Sequence, residues 1–304
     1  MEFIPRRLQF PLNETYWAFG DGSETAGGVF YGLVLLPESS IAQAETVIKH
    51  IKRSYGGNED APVHCRELFN DKARKKSAWS HLTHNQAFSL CGDILRETAR
   101  FSPKHLIGYM LRESYPKRMR LVGKNGHPDL VHAVDSKWLT LWAYFRIAAL
   151  LDPAEIIKPA DVPRPQNCPG WQILIRRTER GMRVRKLFLD REQTKVRWFS
   201  KTLQWTSMAK DLVIEGPSGK SNLPVQPSSL DKNPLIEVAD IFAYSFGRQL
   251  LKEPMPYPNV VTEVHVEVLS RSGDELVFGG KARYSLLHTS HNNDCSFDSA
   301  DGLR

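Results

Sequence analysis

The chain has 304 residues, 41% of them hydrophobic, enough to fill the core of one large domain or two small ones. No run of about 18 apolar residues occurs, which excludes a membrane-spanning helix, and the opening MEFIPRRLQF lacks the apolar centre of a secretory signal. The net charge is +7, and four scattered cysteines (Cys65, Cys91, Cys168, Cys295) form no CxxC pair, which excludes a zinc ribbon or disulfide scaffold and predicts a reducing, cytoplasmic setting.

Residues 16–21 and 29–36 read as adjacent strands, aromatic and aliphatic, on either side of Gly27-Gly28. Ser39-Ser40 is expected to cap a helix to about Tyr55, ended by Gly56-Gly57-Asn58. After PVHCRELF (62–69), residues 79–101 are expected to be helical, with Leu82, Phe88, Leu90, Ile94 and Leu95 on the apolar side. His81 and His84 share a face of that helix and, without a third ligand nearby, read as surface residues. Residues 104–111 read as a strand. Residues 130–151 read as a long helix whose Trp138, Trp142 and Tyr144 suit the core or, secondarily, a homodimer interface.

Residues 153–169 form a Pro-rich connector. WQILIRR and MRVRKLFLD, separated by TERG, predict a hairpin ending on Asp190, and 192–203 a basic helix. DLVIEG reads as a short strand, 217–234 as a loop and 235–251 as a strong helix. Residues 260–269 and 275–287 predict a terminal hairpin, and the polar stretch over 288–304 is expected to be disordered.

Two phosphate-loop readings fail. After Phe19 the sequence runs G-D-G, but the third glycine of a dinucleotide fingerprint would fall at Thr25, and the intervening Asp21 would repel a pyrophosphate. DLVIEGPSGKS lacks the first glycine of a Walker loop, because Ile214 stands there, and the prolines that follow cannot open a helix. The turn after Phe19 is therefore expected to present Asp21 at a strand end.

Carboxylates at element ends remain. Asp21 and Asp190 end predicted strands. Asp240 lies beside the apolar side of its helix, with Glu237 three residues earlier on a nearby face, and Glu67 precedes a long helix. Singly, each has a plain structural role: Asp190 caps a helix, Asp240 edges a stripe, Glu67 faces water. Together they are the parts of a divalent-metal phosphodiesterase, since clustered carboxylates repel and Mg²⁺ or Mn²⁺ supplies the countercharge. Two such ions about 3.5–4 Å apart would activate a water and stabilise the leaving oxygen.

A basic band lies near Asp190. Between Trp171 and Lys201 ten basic residues (Arg176, Arg177, Arg180, Arg183, Arg185, Lys186, Arg191, Lys195, Arg197, Lys201) face three acids, a surplus equal to that of the whole chain. It suits either a nucleic-acid backbone or a solvated hairpin face.

The series FGDGSET, PVHCRELF, LFLDRE and IEVADIFAY, spread from about Tyr16 to Arg248, resembles the RNase H-like family catalogued as domain of unknown function 3800. That family opens with an Asp-Glu-Ser-Gly-type turn and continues with an E-x-H-x-x-E-L-like segment. A mid-chain strand ending in Asp follows, and then a helix like Q-L-A-D-x-x-A-Y. The resemblance implies an α/β protein in which 1–287 form one RNase H-like domain, a mixed central sheet flanked by helices, with helical and loop insertions and an extra C-terminal hairpin. It also implies a metal-dependent nuclease, of a kind common among bacterial defence genes and mobile elements.

Asp21, Asp190 and Asp240 would then ligate Mg²⁺ or Mn²⁺, with Glu67 as fourth ligand or general base. His64 would orient a water or meet the leaving group, and Glu237 would lie on or next to the metal. Gly22 stands where the family has a second acid, Pro62 where it has an upstream Glu, and Glu237 where it has Gln. These departures leave a non-catalytic module that binds nucleic acid or a partner as the alternative.

Overall fold

The computed structural model describes residues 14–121, 130–133, 136–148, 154–157, 174–177, 184–190, 195–198, 201–204, 214–216, 219–221, 225–228, 233–257, 264–267 and 275–278. It is an α/β protein built on a six-stranded mixed sheet. The strands are β1 (Tyr16–Thr25), β2 (Gly28–Pro37), β3 (Lys104–Leu111), β4 (Val184–Asp190), β5 (Val225–Ser228) and β6 (Val264–Glu267), in spatial order β5-β4-β1-β2-β3-β6. β1, β2 and β3 run antiparallel in sequence; β4 adds parallel to β1, β5 parallel to β4, and β6 parallel to β3.

The helices are α1 (Ile41–Ser54), α2 (Cys65–Leu68), α3 (Asp71–Arg74), α4 (His84–Ala99), α5 (Ser136–Ala148) and α6 (Pro234–Leu250). β2 is buried along its whole length because helices cover both of its faces. α6 lies across β1 and β2, with α1 and α4 packed behind it; Phe19, Phe30, Val34 and Leu36 fill that layer. α5 covers the other face, where Tyr31 meets Tyr144 edge-on, with ring centroids 5.2 Å apart. There Gly108 lets the α5 backbone approach β3, since any side chain on it would strike the Ala143 carbonyl.

Several elements differ from the sequence-based expectations. β1 does not stop at Asp21; it continues to Thr25, and the reversal is a tight turn at Ala26-Gly27 closed by the Thr25–Gly28 pair. Ser40 puts no side-chain cap on α1 and instead donates to the Pro37 carbonyl at 2.8 Å, although Gly56, with φ of 76°, follows the helix end as expected. α4 starts at His84 because Thr83 and Gln86 form a capping box, a signature legible in the sequence. The segment before α4 is held by the buried Trp79, whose indole N–H donates to the Pro62 carbonyl at 2.8 Å.

The expected long helix over 130–151 is a strand (Leu130–Ala133) followed by α5, and the supposed connector holds a strand at Ala154–Ile157. That strand takes Leu174–Arg177 as its partner, so WQILIRR and MRVRKLFLD do not form a hairpin. β4 buries Leu187 and Leu189 between two parallel neighbours, a position suited to a strand this apolar.

The expected basic helix is a strand pair, Lys195–Trp198 with Lys201–Gln204, in keeping with the period-two alternation of KVRW. The supposed loop over 217–234 contributes Gly219–Ser221 and β5. The expected terminal hairpin is not formed either. β6 joins β3, while Glu275–Phe278 pairs with Arg118–Leu121. The tail over 288–304 lies outside the described residues.

Candidate functional site

Side chains on β1 alternate between the two faces, and residues paired across an antiparallel ladder share one. Asp21 pairs with Gly32, in line with Phe19–Val34 and Trp17–Leu36, so its carboxylate lies on the α6 side of the sheet. Gly32 makes that possible. A methyl group there would stand 2.8 Å from the Phe242 ring and 3.0 Å from the Ala239 carbonyl of α6. The missing side chain opposite Asp21 is what lets α6, which carries Asp240, approach β2. Gly32→Ala is therefore expected to cost about 1–3 kcal/mol by overpacking, read as a lower denaturant midpoint at unchanged slope.

β4 supplies the second acid. Its register runs Phe19–Phe188 and Gly20–Leu189, so the next residue, Asp190, ends β4 level with Asp21 and on the same face as Phe188. Asp21, Asp190 and Asp240 are all buried. Burial, then the Asp240 and Asp190 charges, hold the Asp21 carboxyl well above the ordinary carboxylate range, although the Gly22 amide donates to its Oδ1 at 2.6 Å. Its Oδ2 is buried without a hydrogen-bond partner. Asp21 thus feels the charges of both other expected acids, but it stands mid-strand and not at a turn.

Asp240 is fixed from the other side. Its Oδ2 accepts the Cys65 amide at 2.8 Å and contacts His64 Nδ1 at 2.9 Å. Burial lowers the imidazole pKa, but the Asp240 charge and hydrogen bond, helped by Glu67 and Asp190, raise it to about 9. His64 is a cation at neutral pH, donating to Asp240.

Glu67, expected as a fourth ligand or base, is exposed on α2; it acts on His64 and is not among the groups that shift Asp21. One turn before Asp240, Glu237 accepts from Lys52 Nζ at 2.6 Å, both side chains 1% exposed. This carboxylate is thus turned to α1 and has a cation of its own.

Among the described residues no three His, Cys, Asp or Glu side chains stand as a ready-formed metal-binding group. Hard oxygen donors that repel one another, one with an orphaned buried oxygen, are nevertheless the donor chemistry that Mg²⁺ and Mn²⁺ favour. The free thiols Cys65 and Cys91 are buried in contact with each other.

Of the basic band, Arg185 is exposed and contacts Glu38 at 3.1 Å, and Lys186 Nζ lies 3.9 Å over the Trp17 ring. Arg180, Arg183 and Arg191 lie outside the described residues, as do the side chains of Arg176, Arg177, Lys195 and Arg197. His81 and His84 do not share a helix face: His81 precedes α4 and contacts the Tyr55 carbonyl at 2.9 Å, while His84 packs on Phe69 and Phe88. Sequence reading missed Lys52, although its place four residues after Ile48 on the buried stripe of α1 was a signal. No helix among the described residues is long and apolar enough to cross a membrane.

No protein-family model, curated protein or solved structure matches this chain.

Proposed function

We propose that the protein is a divalent-metal-dependent nuclease with an RNase H-like domain of the kind catalogued as domain of unknown function 3800. The observation that carries this reading is that the Asp190 and Asp240 charges, from a neighbouring strand and a helix, act on the buried Asp21, one of whose carboxylate oxygens is left unpartnered. The mixed sheet, with parallel β4 and β5 beside antiparallel β1–β3, supports the fold assignment.

Asp21 and Asp190 would hold the metal from the sheet and Asp240 from α6. When bound, Mg²⁺ or Mn²⁺ would offset the carboxylate charge, activate a water and stabilise the developing charge on the phosphoryl oxygens. The Cys65 amide and His64 keep Asp240 aimed at the site. With Nδ1 engaged there, His64 has Nε2 to offer a phosphate oxygen or the leaving group. Attack of the water on phosphorus breaks one P–O bond, and the departing oxygen takes up a proton. The basic band would hold the polyanion, so binding should fall steeply as salt rises.

Incubating the chain with DNA and RNA, single- and double-stranded, in Mn²⁺ tests the proposal. Expected is cleavage that chelation stops and that Asp190→Asn abolishes. Salt-sensitive binding with no cleavage by the wild type would favour the non-catalytic module.

A further inference from the structure

The α6 side of β1 and β4 continues away from the carboxylates in ordered rows. Behind the Asp21–Asp190 row stands Phe19–Phe188, and behind that Trp17–Lys186. Consecutive rows on one face of a sheet are about 7 Å apart. The Phe19 and Phe188 rings stack at 5.3 Å and 7° between planes, and Trp17 leans on Phe188 at 5.6 Å. Trp17, Lys186 and Phe188 are all partly exposed, whereas Phe19 is buried. The cause lies in the packing: α6 lies over β1 and β2 and only grazes β4. Phe19 backs one side of the Phe188 ring, so the exposed part of that ring lies away from the core. The strip therefore runs from an ammonium group, past a rigidly backed aromatic ring, to the carboxylates.

We propose that Trp17, Lys186 and Phe188 form a platform for single-stranded nucleic acid, with a base stacked on Phe188, a phosphate at Lys186, and the adjoining linkage delivered to Asp21 and Asp190. The inference deepens the nuclease reading and rests on it. A partly exposed aromatic ring on a sheet face takes an unstacked base of any identity, whereas the bases of a duplex are already covered by their neighbours. The Lys186 ammonium now lies on the Trp17 face and passes to a phosphate by rotating its side chain. Charge complementarity and continuity with the carboxylates favour this occupant over a second copy of the chain.

The test measures, by fluorescence anisotropy in the Asp190→Asn background, binding of short labelled single strands and of the matching duplex, in deoxy and ribo forms. Single strands are expected to bind at least tenfold more tightly than duplex. Phe188→Leu should weaken single-strand binding about tenfold while leaving duplex binding unchanged. Phe188→Tyr, which keeps the ring, should restore it, and it serves as the working variant if leucine disturbs the fold. Lys186→Gln should lower the salt dependence of binding. A difference between the two arms identifies the sugar.

Equal affinity for duplex and single strand, or Phe188→Leu binding like its parent with an unchanged melting curve, overturns the platform. So does a concentration-dependent dimer dissolved by Phe188→Asp in a chain that binds no oligonucleotide. Single-strand binding that depends on Phe188, in a wild type that cleaves nothing in Mn²⁺, upholds the platform and removes only the chemistry.

Discussion

Replacing Asp21 with asparagine is expected to lower Mn²⁺-dependent cleavage about a thousandfold, the scale of losing a charged group at a reacting phosphate, and to make the metal-free protein more stable. The two effects share a cause. Burial and the Asp240 and Asp190 charges hold the Asp21 carboxyl well above the range it has in the unfolded chain. The folded state then keeps its proton to higher pH, so the metal-free protein loses stability as pH rises from the ordinary carboxylate range towards the raised value. Asparagine removes that loss. At neutral pH its melting temperature should exceed that of the wild type, by roughly 2–4 °C for each kcal/mol relieved, and the advantage should shrink on acidification.

Mn²⁺ should reverse the order, raising the melting point of the wild type by mass action and leaving the variant almost unmoved. Calorimetry with and without metal, alongside a cleavage assay, measures both effects. Equal Mn²⁺ stabilisation of the two proteins would remove Asp21 from the site.

Lys52→Met is expected to destabilise the fold by about 3–5 kcal/mol, equivalent to a melting point lower by roughly 10 °C, because it strands Glu237 in the core. Burial pushes the Glu237 carboxyl up to about 8 even though Lys52, and to a lesser degree the Val63 amide, pull it down. Without Lys52 the carboxyl rises further. A group raised on folding makes the protein less stable as pH climbs from its unfolded value to its folded one; the wild type shares that slope up to about 8, so the deficit should widen as pH rises above about 8.

Lys52→Met/Glu237→Leu should recover most of the loss, since an apolar pair of similar volume replaces a buried ion pair at little cost. Thermal unfolding at two pH values measures it; a single variant as stable as the double would refute the account. Val63, His64 and Cys65 pass beside both α6 acids, so the single variant should also slow cleavage by loosening Asp240.

β1, β2 and β3 were legible in the sequence as short apolar and aromatic runs, and α6 as an apolar stripe of helical period. The three aspartates were legible as residue types, and Asp190 also as the end of its strand. Between 130 and 228 the strands within WQILIRR, MRVRKLFLD and DLVIEG were legible, whereas Lys195–Trp198 was not, because four residues are too few for periodicity to decide. The pairing of MRVRKLFLD was misread for another reason: turn chemistry favours a local hairpin, whereas Leu187 and Leu189 are buried by placing β4 between β1 and β5 inside the sheet.

The sequence by itself determined the elements that carry the candidate acids: a pair of strands bearing Asp21, a strand ending at Asp190, and a helix bearing Asp240. Only the tertiary structure decided that Asp21 sits mid-strand opposite Gly32, that Glu67 stays in water while Glu237 turns to Lys52, and that Phe188 is left partly open. Register, helix placement and ion pairing between α1 and α6 depend on contacts between residues as distant in sequence as Phe30 and Phe246, or Lys52 and Glu237. Local propensity acts over a few residues and carries no information about those contacts.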